Sequence, residues 1–277
     1  MKSSSIKHIL VPFDLKEESH IALHHAVFFA SVANAKITLL HVIATEYPAP
    51  QKIEMMETAV NQIKSTYSGH VNCLFEMGDL VETIGLVATR ESCDLIIMPT
   101  HGLRGWQHVS GSLALRIISE TSIPCLVVQQ REVRTDGFKK IVVPIQWRNQ
   151  ILEELPVIIQ MAKQFEGEVH LIAPPKEDDL EDNALLEKVR AEFDRSQVRF
   201  SYIQENDHAQ FANKVVRYAA SIDADLICSI NFSYEYLYTL IPRAEEEDLI
   251  YNVAEIPVLL LTPLIQDNQV YIVPFWH

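Results

Sequence analysis

The sequence predicts an α/β protein built from two tandem doubly wound, Rossmann-like domains, each a five-stranded parallel sheet with helices on both faces. Three observations predict this fold class. The chain repeats itself at a spacing of about 132 residues, its short apolar runs are continuous rather than alternating, and segments with helical periodicity separate those runs. Continuous apolar runs are typical of strands that are buried on both faces, as in a parallel sheet covered by helices.

Pairs of aligned segments carry the internal repeat, and each pair contains a strand-like apolar run. In the first pair, both segments have basic residues, an apolar triplet and then a proline, which marks where sheet pairing stops. The pairs are Ile6–Asp14 with Phe138–Gln146, Asp94–Gly102 with Asp225–Ser233, and Ser122–Gln129 with Glu255–Thr262. Because the offset hardly changes along the chain, the repeat indicates two copies of one domain.

Strands and helices alternate within each copy, and each copy ends on a strand, which is the order of a parallel α/β sheet. In the first copy the strands are predicted near residues 7–12, 36–43, 71–76, 94–99 and 124–129, and the helices near Glu17–Ala33, Ile53–Thr66, Leu80–Glu91 and Ser112–Thr121. In the second copy the strands are predicted near 139–144, 168–173, 198–204, 225–230 and 257–262, and the helices near 150–166, 179–195, 208–221 and 245–254.

A polar, charged stretch with an Asp-Gly turn, Gln130–Gly137, separates the two copies. We therefore predict a first domain over residues 1–132, a second over residues 137–264 and a C-terminal tail over residues 265–277. The tail has apolar residues at alternate positions, followed by two aromatic residues. It either packs on its own domain or adds an edge strand or covers a partner.

Charge and composition exclude several classes of partner. The formal net charge is −14, and no block of lysine and arginine offers a local basic surface, so we expect no nucleic-acid partner. No apolar run approaches the roughly 20 residues needed to span a bilayer, and the N-terminus lacks the apolar core of a signal peptide. These features predict a cytoplasmic protein without a membrane partner.

The cysteines and histidines invite a metal or redox interpretation. The cysteines are widely separated, with no C-x-x-C pair, which favours buried free thiols. They are Cys73, Cys93, Cys125 and Cys228. His20, His24 and His25 fall on one predicted helix, and an i, i+4 pair could share a metal, but no H-E-x-x-H pattern or third ligand is evident. Histidines solvated on a helix face are therefore the favoured interpretation.

The predicted topology locates a ligand site. Right-handed crossovers leave a doubly wound sheet, whose ligands bind beyond the carboxyl ends of the strands at the switch point. Those ends are Pro12–Asp14, Val42–Thr45 and Pro99–Gly105. At the end of the first strand, the Asp14 carboxylate either accepts hydrogen bonds from ribose hydroxyls or caps its own loop.

The segment Thr100–Ser112, THGLRGWQHVSGS, is the only glycine-rich loop in the sequence, and it links a buried strand to a helix. Glycines let backbone N–H groups approach a phosphate closely, and the free N–H groups and dipole of the next helix favour an anion. Gly111 and Ser112 stand where that helix begins. Ser112 either caps the helix or gives its hydroxyl to a phosphate oxygen.

The loop is neither a Walker A motif nor a G-x-G-x-x-G dinucleotide motif, because the required spacings and the lysine are missing. His101 and His108 flank the glycines and could contact phosphate. Arg104 is the cation inside the loop, and it either pairs with phosphate or stays exposed. No nucleophile has an assignable base, so the sequence names no catalytic residue.

With these residues in view, the chain resembles a tandem member of the universal stress protein family. That family carries the motif G-x-x-G, nine residues, then G-Ser/Thr, after its fourth strand. Here Pro99 stands at the first glycine, Gly102 at the second and Gly111 at the third, with eight residues intervening. The resemblance implies that Asp14 holds the adenosine of a bound ATP and that Val42 lies beside the adenine.

The resemblance and the topology together define a candidate nucleotide site in the first copy. Its predicted ligand is ATP, with Mg²⁺ accompanying it. The candidate residues are Pro12, Phe13, Asp14, Val42, Thr100, His101, Gly102, Arg104, Gly105, Gly111 and Ser112.

The second copy lacks the features of this site. Gln146 stands at the position of Asp14, and Ser233, Tyr236 and the region of Pro242 replace the glycines. The helix that follows begins with the acidic run 245–248, whose carboxylates would repel a phosphate from the helix dipole. We therefore expect the second copy to bind no nucleotide in this way.

Three function hypotheses remain open at this point. The first is a regulatory binding protein of the stress response, whose first domain binds ATP and whose second is an interaction partner. The second is an interaction scaffold in which both nucleotide sites are lost. The third is a slow nucleotide hydrolase, which would use the first loop and Mg²⁺ but has no recognisable base.

The resemblance also implies how such domains associate. In relatives of this kind the domains associate through their last strands, so Cys125–Gln129 and Val258–Thr262 would approach one another and form a pseudo-dimer within the chain. A further homodimer is compatible with this arrangement. A protein partner is expected, but the sequence does not identify it.

Overall fold

The computed structural model describes residues 6–43, 47–100, 114, 116–118, 121, 123–145, 151–176, 179–230, 248–261, 264–266 and 269–271. The chain divides into two compact units. The first unit spans residues 5–133, and the second is made mainly of residues 134–277.

The first unit contains one parallel sheet with the strand order β3-β2-β1-β4-β5. Its strands are β1 (His8–Pro12), β2 (Lys36–Ile43), β3 (Val71–Met77), β4 (Leu95–Pro99) and β5 (Cys125–Val128), and its long helices are α1 (Glu17–Ala33), α2 (Pro50–Thr66) and α3 (Leu80–Arg90). The strand order reverses at β1. Right-handed crossovers therefore place α1 and α2 on one face and α3 on the other.

The second unit repeats this topology with the order β8-β7-β6-β9-β10, again all parallel. Its strands are β6 (Lys140–Pro144), β7 (Glu168–Ala173), β8 (Phe200–Gln204), β9 (Leu226–Ile230) and β10 (Val258–Leu261), and its long helices are α4 (Ile151–Gln164), α5 (Asp179–Ser196) and α6 (Phe211–Ser221). The predicted fold class, two doubly wound parallel domains, is confirmed.

The described part of the tail contains a strand pairing that the sequence analysis did not predict. Its described residues form strands β11 (Leu264–Gln266) and β12 (Gln269–Tyr271), which pair with each other as an antiparallel two-stranded sheet. Antiparallel pairing satisfies backbone N–H and C=O groups of both strands within this separate sheet. Within the part of the tail that the structure describes, neither strand is therefore an edge strand of a parallel sheet.

Helix boundaries depart from the prediction for local reasons. Helix α2 begins at Pro50 rather than Ile53, because proline fits the first helical turn, where its missing N–H costs nothing. Of the helix predicted over 245–254, the described residues are helical over 248–250. Asn252 ends it there: its side-chain amide donates to Leu249 O at 2.9 Å, and its Oδ1 accepts from Ile256 N at 3.0 Å. The described part of the predicted 112–121 helix is helical at residues 114 and 116–118.

The same carboxylate contact recurs in both units, directly before β4 and β9. Asp94 Oδ2 accepts hydrogen bonds from the backbone N–H groups of Lys7 and His8, at 2.8 and 3.0 Å. Asp225 Oδ2 accepts from the two N–H groups where β6 begins, both at 2.9 Å. The internal repeat is therefore present in side-chain contacts as well as in topology. No helix in the described ranges is both long and apolar enough to cross a bilayer.

Candidate functional site

The candidate site lies where the first sheet reverses its strand order, at the carboxyl ends of β1 and β2. Pro12 is the last residue of β1 and pairs with Leu40 of β2. One residue further, Phe13 donates its backbone N–H to Leu40 O at 2.8 Å, and its ring is buried. This anchoring fixes the point at which the chain leaves the sheet, directly before Asp14.

One carboxylate oxygen of Asp14 accepts a hydrogen bond from its own loop, and the other accepts none. Oδ1 accepts a hydrogen bond from Lys16 N at 3.1 Å, so the loop-capping role predicted for Asp14 is observed. The Lys16 ammonium lies 3.3 Å from Oδ2, and the Asp14 side chain is 12% exposed. Oδ2 itself is out of contact with solvent and has no hydrogen-bond partner among the described residues. The ion pair with Lys16 partly compensates this buried oxygen, and an oxygen that makes no hydrogen bond keeps the capacity to accept one from a ligand.

The residue after Asp14 is held in an uncommon conformation. Leu15 has φ of 69°, in the left-handed region that branched side chains rarely adopt. Such a conformation costs about 1 kcal/mol or more, and it persists only where the surroundings enforce it. It allows the abrupt turn from β1 into α1.

His41 connects the end of β2 to the end of β1. Its ring is buried, with 3% exposed. Nδ1 lies 2.7 Å from Phe13 O, and Nε2 lies 2.7 Å from the Lys52 ammonium. Because a carbonyl only accepts and an ammonium only donates, the contacts assign a neutral ring with its proton on Nδ1. His41 therefore holds the Phe13 carbonyl on one side and Lys52 on the other.

The electrostatics agree with this assignment. Burial lowers the pKa of His41, and the Lys52 ammonium lowers it further; the hydrogen bond to Phe13 and the Asp14 carboxylate act in the opposite direction. Lys52 lies in the first turn of α2, where the helix dipole disfavours a cation. No carboxylate lies within 4.0 Å of its ammonium in the described part of the chain. The site thus combines a neutral histidine with a cation that keeps unused donors.

A cavity of about 530 Å³ opens beside Leu15, between the start of α1 and one face of α2. At its edge, the His20 ring packs edge-on against Phe13, with ring centroids 4.9 Å apart. Burial lowers the pKa of His20. The lining residues are Leu15, His20, Gln51, Glu54, Met55, Thr58, Ala59 and Gln62.

The other predicted site residues divide into two groups. Val42 is half-buried and pairs with Glu76 of β3, and Thr100 donates its N–H to Val128 O at 2.9 Å, which extends the pairing of β4 with β5. Pro12, Phe13, Asp14, Val42 and Thr100 therefore lie at the same edge of one sheet. The remaining candidates, His101, Gly102, Arg104, Gly105, Gly111 and Ser112, lie outside the described residues.

The histidine and cysteine predictions have different outcomes. The prediction of a solvated His25 is wrong: its ring is fully buried, and Nε2 donates to Arg131 O at 3.0 Å. His24 is exposed and lies 3.0 Å from the Glu132 carboxylate. Within the described ranges, no cluster of three His, Cys, Asp or Glu residues could hold a metal.

The prediction of free thiols is confirmed. None of the four cysteines forms a disulfide; Cys73 is half-buried and the others are buried.

The second unit keeps the backbone pairing of the site but has no histidine at the position of His41. Ile145 donates its N–H to Ile172 O at 2.9 Å, as Phe13 does to Leu40. The residue after Ile172 is Ala173, so an alanine occupies the position of His41. Gln146 and residues 245–247 of the acidic run lie outside the described residues. Asp248, the last of the run, accepts a hydrogen bond from Asn213 Nδ2 at 3.1 Å.

The sequence interpretation missed His41 and Lys52. Each residue had a weak signal in the sequence. His41 lies inside an apolar strand, LLHVI, and Lys52 lies in the first turn of a helix that has no acidic residue there. Either pattern alone is common. Only the fold brings these two residues and Phe13 into contact.

Comparison with known proteins agrees with the fold. Residues 5–129 match the model of the universal stress protein family, and the resemblance seen in the sequence is confirmed. A universal stress protein from Archaeoglobus fulgidus DSM 4304 is similar at 19% identity, with a TM-score of 0.70, covering 92% of this chain and 96% of that one. A functionally unknown protein from Pseudomonas aeruginosa PAO1 is similar at 18% identity, with a TM-score of 0.67 and 92% of each chain covered. These likenesses show the two-domain fold. No curated protein matches the sequence.

Proposed function

We propose that the first unit binds ATP at the carboxyl ends of β1 and β2, and that the chain acts in the stress response as a regulatory binding protein. The observation that carries this proposal is the Asp14 carboxylate, whose buried Oδ2 accepts no hydrogen bond among the described residues and has the Lys16 ammonium 3.3 Å away as an ion-pair partner. It lies where ligands bind in doubly wound sheets, at the point where the strand order reverses. Ribose hydroxyls are donors of the kind that this oxygen lacks.

The other parts of the nucleotide follow from the sheet order. With the ribose at Asp14, the phosphates would lie toward the glycine-rich loop that follows β4, whose backbone N–H groups suit an anion. Thr100 begins that loop at the edge of the sheet. Mg²⁺ would enter bound to the phosphates, which supply the oxygen ligands that it prefers.

The second unit would bind no nucleotide in this way. It has Ala173 where the first unit has His41, and the sequence has Gln146 in place of Asp14. Its role would be to contact a partner protein. The chain would then have one ligand-responsive unit and one interaction unit, and its output would be a conformational change rather than a reaction.

The test is isothermal titration calorimetry of the purified chain with ATP. Asp14→Asn keeps an oxygen for Lys16 N and replaces the spare oxygen with an amide, and Gly111→Val blocks the loop. Asp136→Asn, at an exposed carboxylate of the second unit, is the matched control. We expect binding by the wild type and the control, and weakening of at least about tenfold in the other two variants. No binding by the wild type at millimolar ATP would contradict the proposal and leave the interaction scaffold.

A further inference from the structure

Lys52 is a half-buried cation whose contacts leave part of its hydrogen-bonding capacity unused. Its ammonium donates to His41 Nε2 at 2.7 Å and has two further N–H groups. No carboxylate in the described ranges lies within 4.0 Å of it. His41 in turn is held by Phe13 O, so the ammonium is anchored beside the end of β2 rather than free in solvent. An anchored cation with spare donors is suited to bind a hydrogen-bond acceptor.

The sheet order gives the direction in which that acceptor lies. In the first unit β2 lies on one side of β1 and β4 lies on the other. Asp14 follows β1, Lys52 lies at the end of β2, and the glycine-rich loop follows β4. A nucleotide with its ribose at Asp14 and its phosphates toward the β4 loop must extend its base toward β2. Lys52 is therefore on the base side of the site, away from the phosphates.

We propose that Lys52 is a specificity-determining residue that donates a hydrogen bond to an acceptor atom on the ring of the bound base, and that His41 is the positioning residue that holds it there. This inference rests on the proposed nucleotide site. Ring nitrogens and exocyclic oxygens of a base are acceptors, and an ammonium supplies only donors. Lys52 would thus distinguish a ligand that carries a base from a bare polyphosphate.

The arrangement also makes base binding depend on pH. The groups that face His41 in the described structure are Lys52 from α2, the Asp14 carboxylate and Phe13 O from the end of β1, and the Phe75 ring from β3. A proton on Nε2 would remove the acceptor for Lys52 and set two cations against each other. Acidification would therefore release Lys52, whereas the hydrogen bond from Nδ1 to Phe13 would remain.

The test compares ATP, adenosine and inorganic triphosphate as ligands of the wild type and of Lys52→Met, by calorimetry at pH 8. Lys64→Met, at an exposed lysine in the last turn of α2, is the matched control. We expect Lys52→Met to weaken ATP and adenosine by the same factor, about tenfold, and to leave triphosphate binding unchanged. Lys64→Met should bind all three like the wild type. Wild-type affinity for adenosine should fall between pH 8 and pH 5.5, and this fall should be absent in Lys52→Met.

The outcomes separate the inference from the proposed site. Unchanged adenosine binding in Lys52→Met, with normal ATP binding by the wild type, would overturn the inference and leave the proposed function standing. A loss confined to ATP and triphosphate would place Lys52 at the phosphates and would also overturn it. If the wild type bound neither ATP nor adenosine, both proposals would fall. Should Lys52→Met fail to fold by circular dichroism, Lys52→Ala, which also removes every donor and suits a helix, provides the same comparison.

Discussion

The two units share a frame and differ at the ends of their central strands. Both sheets have the same order, and in both an aspartate before the fourth strand binds the backbone before the first. The two units differ at the carboxyl ends of their strands. In the first unit the His41 ring hydrogen-bonds both Phe13 O and the Lys52 ammonium, whereas Ala173 at the same position in the second unit has no side chain that could do so. The comparison teaches that the frame and the site can change independently within one chain, because backbone pairing does not depend on the side chains beyond the strand ends.

The largest effect is expected where the frame is shared but one unit has an additional contact. Asp225 accepts two backbone N–H bonds and also pairs with Arg134 at 3.0 Å, whereas no ion pair to arginine accompanies the same contact at Asp94 in the described residues. Asp94→Ala should cost the first unit about 2 kcal/mol, and Asp225→Ala should cost its unit more than that, because it also removes the ion pair with Arg134. Native-state hydrogen exchange reports the opening free energy of each unit separately. Equal losses of stability in the two variants would show that the ion pair with Arg134 does not stabilise the second unit.

A second prediction converts the first unit to the pattern of the second. His41→Ala copies Ala173 and leaves the Phe13 carbonyl and the Lys52 ammonium without their partner. The first unit should lose about 2 kcal/mol of stability, and ATP binding should weaken together with it. Urea unfolding followed by circular dichroism gives the stability, and His24→Ala, at an exposed histidine, is the control, expected within about 0.5 kcal/mol of the wild type. Full stability in His41→Ala would mean that the link is dispensable.

The units should also differ in their response to acid. Burial is the largest cause of a lowered pKa in each affected histidine. A histidine whose pKa is lowered in the folded state stabilises the fold above its unfolded pKa, 6.5, and that contribution is lost as the pH falls from there through the folded pKa. The affected histidines are His8, His20, His25 and His41 in the first unit and His170 in the second.

The first unit should therefore lose more stability than the second between pH 7.5 and pH 5. Hydrogen exchange of each unit at pH values across this range, corrected for the intrinsic exchange rate, measures the difference. The variant His41→Ala should make the difference in stability loss between the two units smaller, because the first unit then has one titrating histidine fewer. A larger acid loss in the second unit would contradict the burial of the first-unit histidines.

The smallest expected effect concerns the thiols. Burial raises the pKa of Cys93 to about 12 and also raises the pKa values of Cys73 and Cys125, so thiolate is scarce at pH 8. Cys73 is half-buried, and Cys228 of the second unit is buried. A thiol reagent should label native protein slowly at Cys73 and leave Cys228 untouched until the chain is unfolded. Mass spectrometry of the labelled peptides checks this, and rapid labelling of Cys228 would contradict its burial.

Much of the fold was predictable because its signals are local. Each copy has a continuous apolar run followed by a proline, Ile9–Val11 in the first and Ile141–Val143 in the second. Both runs are buried strands at the centre of their sheets. Helix ends were harder to predict. The early start of α2 at Pro50 and the early stop of the last helix at Asn252 depend on single side chains whose contacts the hydrophobic period does not report.

By itself the sequence determined the fold class, the duplication and the position of Asp14 at the end of the first strand, because apolar periodicity and strand-ending prolines act over a few residues. The tertiary structure alone decided which polar residues meet. His25 is buried because Arg131, distant in the chain, offers it a carbonyl. His41 became part of the candidate site because the parallel pairing of β1 with β2 brings Phe13 O to its ring, and because α2 brings Lys52 to its other nitrogen. Such contacts depend on how strands and helices pack in three dimensions, which spacing along the chain does not encode.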